Sequence, residues 1–263
     1  MFRNLLLTIG IGLVMTPTSA EEISLFAAGS LRAALSDVVA NYTEQFGVPV
    51  TAAFGPSGLM RGRIEDGESA HVFASANMRH PRTLQSAGRG GPVTLFARNQ
   101  LCALARPELE VSSESLLAVM LDDAVRVGTS TPQADPSGDY AFELFDKSGH
   151  AEVLKAKALQ LTGGPDSAVP PTGRNTYAWV IDSDQADVFL TYCTNAVLAK
   201  AEVNTLQIVQ VPQNLSVGAD YGLMVLDQAP AQAWHLAMYI LSPAGQTVLR
   251  NYGFEASAIP TVN

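Results

Sequence analysis

Three times within residues 23–76 the chain runs a short apolar segment up to tiny residues, and twice the tiny residues deliver a serine where a helix should start. Residues 23–28 (ISLFAA) pass through Gly29 to Ser30, residues 48–54 (VPVTAAF) pass through Gly55 and Pro56 to Ser57, and residues 71–76 form the third run. Between the first two, Leu31, Ala34, Leu35, Val38, Val39, Tyr42 and Phe46 recur at helical spacing and stop at Gly47. Residues 57–65 give a second helix, closed by Gly67. Apolar strands that alternate with helices predict a parallel sheet joined by right-handed crossovers, because each helix must return the chain to the same sheet edge.

The remainder keeps the alternation with less regularity. Residues 92–107 read as two strand-like runs joined through Arg98 and Asn99, followed by a helical patch at 113–121 and a strand at 126–129. The stretch TPQADPSGDYAFELF predicts a loop entering a helix, with Asp135 as N-cap and Pro136 in the first helical position. A short helix at 174–181 and a strand at 186–193 come next. From Thr194 follow a helix, strands at 206–211 and 221–226, and a long amphipathic ending. The reading is an α/β protein of two lobes, each a mixed, mainly parallel sheet flanked by helices. Lobe I takes residues 21–97 and 195–263, lobe II takes 98–194, and the chain crosses near 97–104 and 190–196.

Residues 1–20 carry one charge, Arg3, then an apolar core from Leu5 to Met15, and end in Thr18-Ser19-Ala20. That pattern predicts a cleaved signal peptide, since the apolar run falls short of the ~20 residues a membrane span needs. The mature chain is therefore expected in the periplasm. A formal net charge of −9 argues against nucleic acid and anionic membranes, both of which attract basic faces. The two cysteines, Cys102 and Cys193, enter an oxidising compartment, where a disulfide is the expectation and two free buried thiols the alternative. No metal-ligand spacing, phosphate loop or dinucleotide fingerprint occurs, so no cofactor is expected. GPSG around Ser57 lacks the second glycine of a nucleophile elbow, which leaves a serine hydrolase as the weaker alternative and no enzyme as the reading.

A helix N-terminus presents unpaired N–H groups and the positive end of the helix dipole, so an anion can use both. Ser30, Ser57 and Ser137 (in DPSGDY) each stand at such an entry among small neighbours. The segments LFAAGSL, FGPSGLMRGRIEDGESAHVFASAN, PSGDYAFELF and ADVFLTYCTNA together resemble, in order and rough spacing, the periplasmic molybdate-binding proteins of ABC transporters. The resemblance implies the type II periplasmic binding architecture, two lobes closing on a tetrahedral dianion, and a monomer that delivers it to an inner-membrane permease. It also implies a ligand set: hydroxyl and backbone donors from Ser30 and Ser57, backbone N–H donors from Ser137 and Arg174, and the phenol of Tyr192. The ligand so implied is molybdate, with tungstate beside it. Neutral donors suit an acceptor-only anion, because a stray acceptor in the shell would be left unpaired.

Several positions depart from that family's pattern. Arg174 stands where a small or apolar residue is usual, Thr194 and Asn195 replace a Ser-Asp pair, and Asn77 replaces an aspartate, as His71 replaces small or acidic neighbours. A different anion therefore stays open as an alternative: a sulfate-like oxyanion, a carboxylate or an anionic metal chelate. The strands holding Cys102 and Cys193 run side by side in the implied architecture, and a bond there is expected to staple the hinge.

Overall fold

The computed structural model describes residues 21–256, so the expected signal peptide lies outside the described residues. The first lobe opens with β1 (Ile23–Ala28), a single 3-10 turn and α1 (Arg32–Phe46), then β2 (Val50–Gly55), α2 (Ser57–Glu65), β3 (Val72–Ser75) and α3 (Arg79–Ser86). β1 pairs in parallel with β2 on one side and β3 on the other. Helix α1 ends as its sequence predicts: Gly47 takes the left-handed conformation (φ 67°) and its N–H closes on the Thr43 carbonyl, a geometry that a residue without Cβ adopts at no steric cost.

β4 (Thr94–Ala105) is one strand of 12 residues where the sequence suggested two. Arg98 and Asn99 are polar because the strand changes lobes there, and they do not mark a turn. Arg98 lies opposite Asp220 and Nε donates to its Oδ1 at 2.9 Å. The second lobe continues with α4 (Leu116–Leu121), β5 (Val127–Ser130), α5 (Pro136–Lys147), α6 (Ala151–Lys157), β6 (Leu159–Thr162), α7 (Thr176–Asp182), β7 (Val188–Tyr192), α8 (Cys193–Glu202) and β8 (Gln207–Gln210). Helix α5 carries the predicted cap, with the Asp135 side chain accepting from the Ser137 N–H and Pro136 in the first turn.

The chain returns to the first lobe later than the spacing suggested. β8 still pairs with the second-lobe half of β4, Cys102 opposite Gln210, whereas β9 (Gly218–Val225) pairs with its first-lobe half, Gln100 opposite Gly218. The return crossing therefore lies in residues 211–217, and residues 195–210, expected in lobe I, belong to lobe II. Residues 190–196 do not cross: β7 runs antiparallel beside β4 within the second sheet. α9 (Ala231–Leu241) and α10 (Pro243–Asn251) divide the long amphipathic ending, and β10 (Glu255–Ala256) closes on β4. Proline disfavours helical backbone in the preceding residue, so Ser242 sits at ψ 162°, and its hydroxyl caps the new helix at the Gly245 N–H.

The strand order β2-β1-β3-β9-β4-β7-β5-β6 makes β4 the shared member of both sheets. Pairing is parallel in the outer part of each lobe and antiparallel wherever β4 and β9 enter. Both lobes thus hang on one continuous strand, and the ends of their parallel strands face a common gap.

Cys102 and Cys193 are bonded. Both belong to lobe II, one on β4 just past its crossing and the other opening α8. The bond fixes α8 to the hinge strand inside one lobe and does not tie the two lobes together, which corrects the expected hinge staple.

Candidate ligand-binding site

A cleft of about 450 Å³ opens between the lobes, beyond the carboxyl ends of β1 and β2 and against the end of β7. In open α/β sheets this is where ligands collect. Ser30, Phe54, Ser57 and Ala76 line it from lobe I; Asp135, Tyr177 and Tyr192 line it from lobe II. Of the five residues named from the sequence, Ser30, Ser57 and Tyr192 come together here.

Each of the three has a neighbour that fixes it, and Ser57 and Ser30 can each keep a proton to give. The Ser57 hydroxyl accepts the Ala76 N–H at 3.0 Å, so its own O–H is free to donate. Ser30 Oγ lies 3.0 Å from the Tyr221 phenol on β9. When Tyr221 donates in that pair, the Ser30 proton is left for the cleft. Asn99 holds the pair in place, donating to Tyr221 Oη at 3.4 Å and to Thr194 Oγ1 at 2.8 Å. The Tyr192 phenol donates to the Ala76 carbonyl at 3.4 Å, a long bond that a ligand can replace. Burial pushes the Tyr192 phenol well above its ordinary pKa, which keeps it a donor at every physiological pH.

The lobes are closed on one another. The Gly58 N–H, in the first turn of α2, donates across the gap to the Ala134 carbonyl at 2.8 Å. Arg79 on α3 meets Asp139 on α5 at 2.6 Å, a second contact between lobes.

Two expected donors are committed elsewhere. Ser137 is buried behind Asp135, and its N–H, assigned to the ligand by the resemblance, bonds Asp135 Oδ1 at 3.0 Å because a cap needs that donor. The Arg174 N–H bonds the Pro171 carbonyl at 3.0 Å. The Arg174 guanidinium turns away to Glu202 (2.6 Å) and Asp182 (2.8 Å), and it lines an adjoining hollow of about 280 Å³ instead of the main cleft. Most of the departures from the family pattern also have structural explanations. Asn77 Oδ1 accepts the His80 N–H, Asn195 donates to Thr191 Oγ1, and His71 Nδ1 accepts the Ser24 N–H.

Sequence reasoning missed the charged groups of the cleft. Asp135, read only as a helix cap, presents a carboxylate to the cavity. Desolvation pushes its pKa up to about 6, against the lowering effect of the Ser137 N–H. Across the cavity, Arg32 donates to the Phe54 carbonyl at 3.1 Å and lies 4.9 Å over the Phe54 ring. The available signal was the sequence adjacency itself. A residue that caps a helix at the mouth of a cleft must face that cleft, and Arg32 follows Ser30 by less than a turn. Among the described residues no cluster of three or more metal-ligating side chains occurs, and no helix is long and apolar enough to cross a membrane.

The family model described as bacterial extracellular solute-binding protein matches residues 23–255. An uncharacterised protein of Pasteurella multocida is 36% identical over 237 residues, covering 88% of this chain and 97% of its own. The molybdate-binding protein ModA of Rhodobacter capsulatus is 26% identical over 242 residues, covering 90% of each. Among solved structures, the sulfate-binding protein SubI of Mycobacterium tuberculosis superposes with a TM-score of 0.73 at 17% identity, over 90% of this chain and 87% of that one. The fold is the type II periplasmic binding architecture.

Proposed function

This chain belongs to the bacterial extracellular solute-binding proteins, and from that premise we propose that it captures a small anionic solute between its lobes and hands it to a membrane permease. The observation that carries the reading is the convergence of Ser30 and Ser57 from one lobe and Tyr192 from the other on a single cleft. Each hydroxyl is fixed by a neighbour; Ser57 and Ser30 can keep a proton for the ligand, and Tyr192 can turn its own from the Ala76 carbonyl to the ligand. A hydrogen bond to a charged group contributes about 1.5–3 kcal/mol. Three of them contribute about 4.5–9 kcal/mol before association costs, against about 8 kcal/mol for a micromolar complex, so Arg32 at the rim and apolar burial must add to them. Since the donors come from separate lobes, filling the site favours the closed form.

Molybdate and tungstate are the ligands that the ModA-like relatives favour, and the three hydroxyls suit them. The occupied N–H groups of Ser137 and Arg174 and the carboxylate of Asp135 weigh on the other side, since an acceptor-only dianion finds two donors fewer and one acceptor too many. The permease, periplasmic residence and monomeric state are likewise proposals that follow from family membership.

Thermal-shift measurements test the reading. Titrating molybdate, tungstate, sulfate, phosphate and small carboxylates should raise the melting temperature with at least one, because a ligand that binds only the native state stabilises it by mass action. Ser57→Ala should cut that shift in line with an affinity loss on the order of tenfold. A flat response to the whole series would remove the anion-binding function.

A further inference from the structure

We infer that the solute is an organic or protonated anion bringing a hydrogen-bond donor of its own, and that Asp135 is the acceptor that reads this donor. The inference rests on the anion-capture reading above and narrows its ligand class. Three observations carry it.

First, Asp135 lines the same cleft as Ser30, Ser57 and Tyr192. One of its oxygens, Oδ1, caps α5, and the Ser130 hydroxyl also bonds the carboxylate. A carboxylate accepts at about four positions, so capacity remains toward the cavity. Its other oxygen, Oδ2, packs against Gly163, another cleft-lining residue, where a Cβ would come within 2.6 Å. An ionised acceptor left facing a fully deprotonated dianion would be both unpaired and repelled. Facing a ligand O–H or N–H, it makes a charge-assisted bond.

Second, the cavity of about 450 Å³ lies in the range of small-molecule pockets, roughly 300–1,000 Å³. A tetrahedral oxyanion would fill a small part of it. Third, the walls are of two kinds. Arg32, the Phe54 ring and the serine hydroxyls line it from lobe I, and Asp135 and the Tyr177 ring line it from lobe II. A molecule with a charged end and a hydroxyl or ammonium end matches that polarity.

Matched ligand pairs that differ by one donor test this: phosphate against sulfate, malate against succinate, and lactate against propionate. Calorimetric titration at pH 8 keeps Asp135 ionised. The groups acting on it are the Ser137 N–H, the Ser130 hydroxyl and Asp139 on its own helix; Tyr177 from α7 and Tyr192 from β7 also face it, Arg32 lines the same cleft, and both phenols stay neutral there. The donor-bearing member of at least one pair should bind about tenfold tighter or more. Asp135→Asn keeps a side chain that caps helices equally well, and it should shrink that preference to threefold or less while leaving the unliganded melting temperature nearly unchanged. If the wild type binds sulfate, succinate or molybdate as tightly as the donor-bearing partners, the inference falls and anion capture stands. That comparison decides the matter even if Asp135→Asn does not fold. If no member of any pair binds, and molybdate does not either, anion capture itself falls and takes the inference with it.

Discussion

Gly58→Ala should weaken ligand binding by roughly 5- to 150-fold and leave the unliganded fold intact. Gly58 sits in the first turn of α2, and its N–H reaches across to the Ala134 carbonyl of the other lobe at 2.8 Å. A methyl group there would lie 2.3 Å from the Gln133 carbonyl and 2.7 Å from that of Ala134. Both contacts are with backbone, which cannot swing aside as a side-chain tip does. Both also exist only when the lobes are closed, so the open form accommodates alanine freely and gains slightly in helix propensity. Overpacking of this kind costs about 1–3 kcal/mol. Ligand affinity falls by whatever the closed state loses, which gives the range above. Titration calorimetry with any ligand found by thermal shift, beside the unliganded melting curve, measures both parts. Unchanged affinity would mean that closure does not bring α2 against residues 133–134.

Loss of the disulfide should act on stability and spare binding. Replacing Cys102 and Cys193 together by alanine opens a loop spanning 91 residues in the unfolded chain. The chain-entropy relation gives about 4.6 kcal/mol for a loop of that length, within the 2–5 kcal/mol usual for native bonds. Chemical denaturation of the double variant should show a fall in that range. Affinity should change by less than about threefold, because the aim of Tyr192 is fixed by its pairing opposite Leu101 on β4 and not by the bond one residue later. Normal stability combined with a wider opening of the lobes would restore the hinge staple that the sequence suggested.

The first lobe was legible because local signals and packing agree there. ISLFAA, the helix-spaced apolar series up to Gly47, and the Ser57 helix all appear with bounds close to those read from the residues. The crossings were harder. Arg98-Asn99 resembles a turn in sequence, yet its polarity serves a strand that leaves one sheet for another, a fact that exists only in three dimensions. The return at 211–217 was misplaced for a related reason. β8 and β9 read as ordinary strands of one lobe, and only their shared partner, β4, shows that they straddle the gap.

The site divides the same way. Ser30 and Ser57 were legible as small residues before a helix, which is a local pattern, whereas Tyr192 was named by resemblance; all three line the one cleft. Ser137 and Arg174 were assigned to the ligand by resemblance. Their N–H groups went to Asp135 and Pro171, contacts that depend on how a loop folds back on itself. The same resemblance, with its shell of neutral donors, concealed Asp135 in plain view as a helix cap.

The shared cleft is tested most directly by a crystal structure of the protein grown with a ligand identified by thermal shift. Its anionic group should lie within about 3.2 Å of Ser30 Oγ, Ser57 Oγ and Tyr192 Oη together, with the Tyr192 bond to Ala76 given up. An anion held by one lobe alone, or seated in the adjoining hollow beside Arg174, would contradict the capture of a solute by these three hydroxyls.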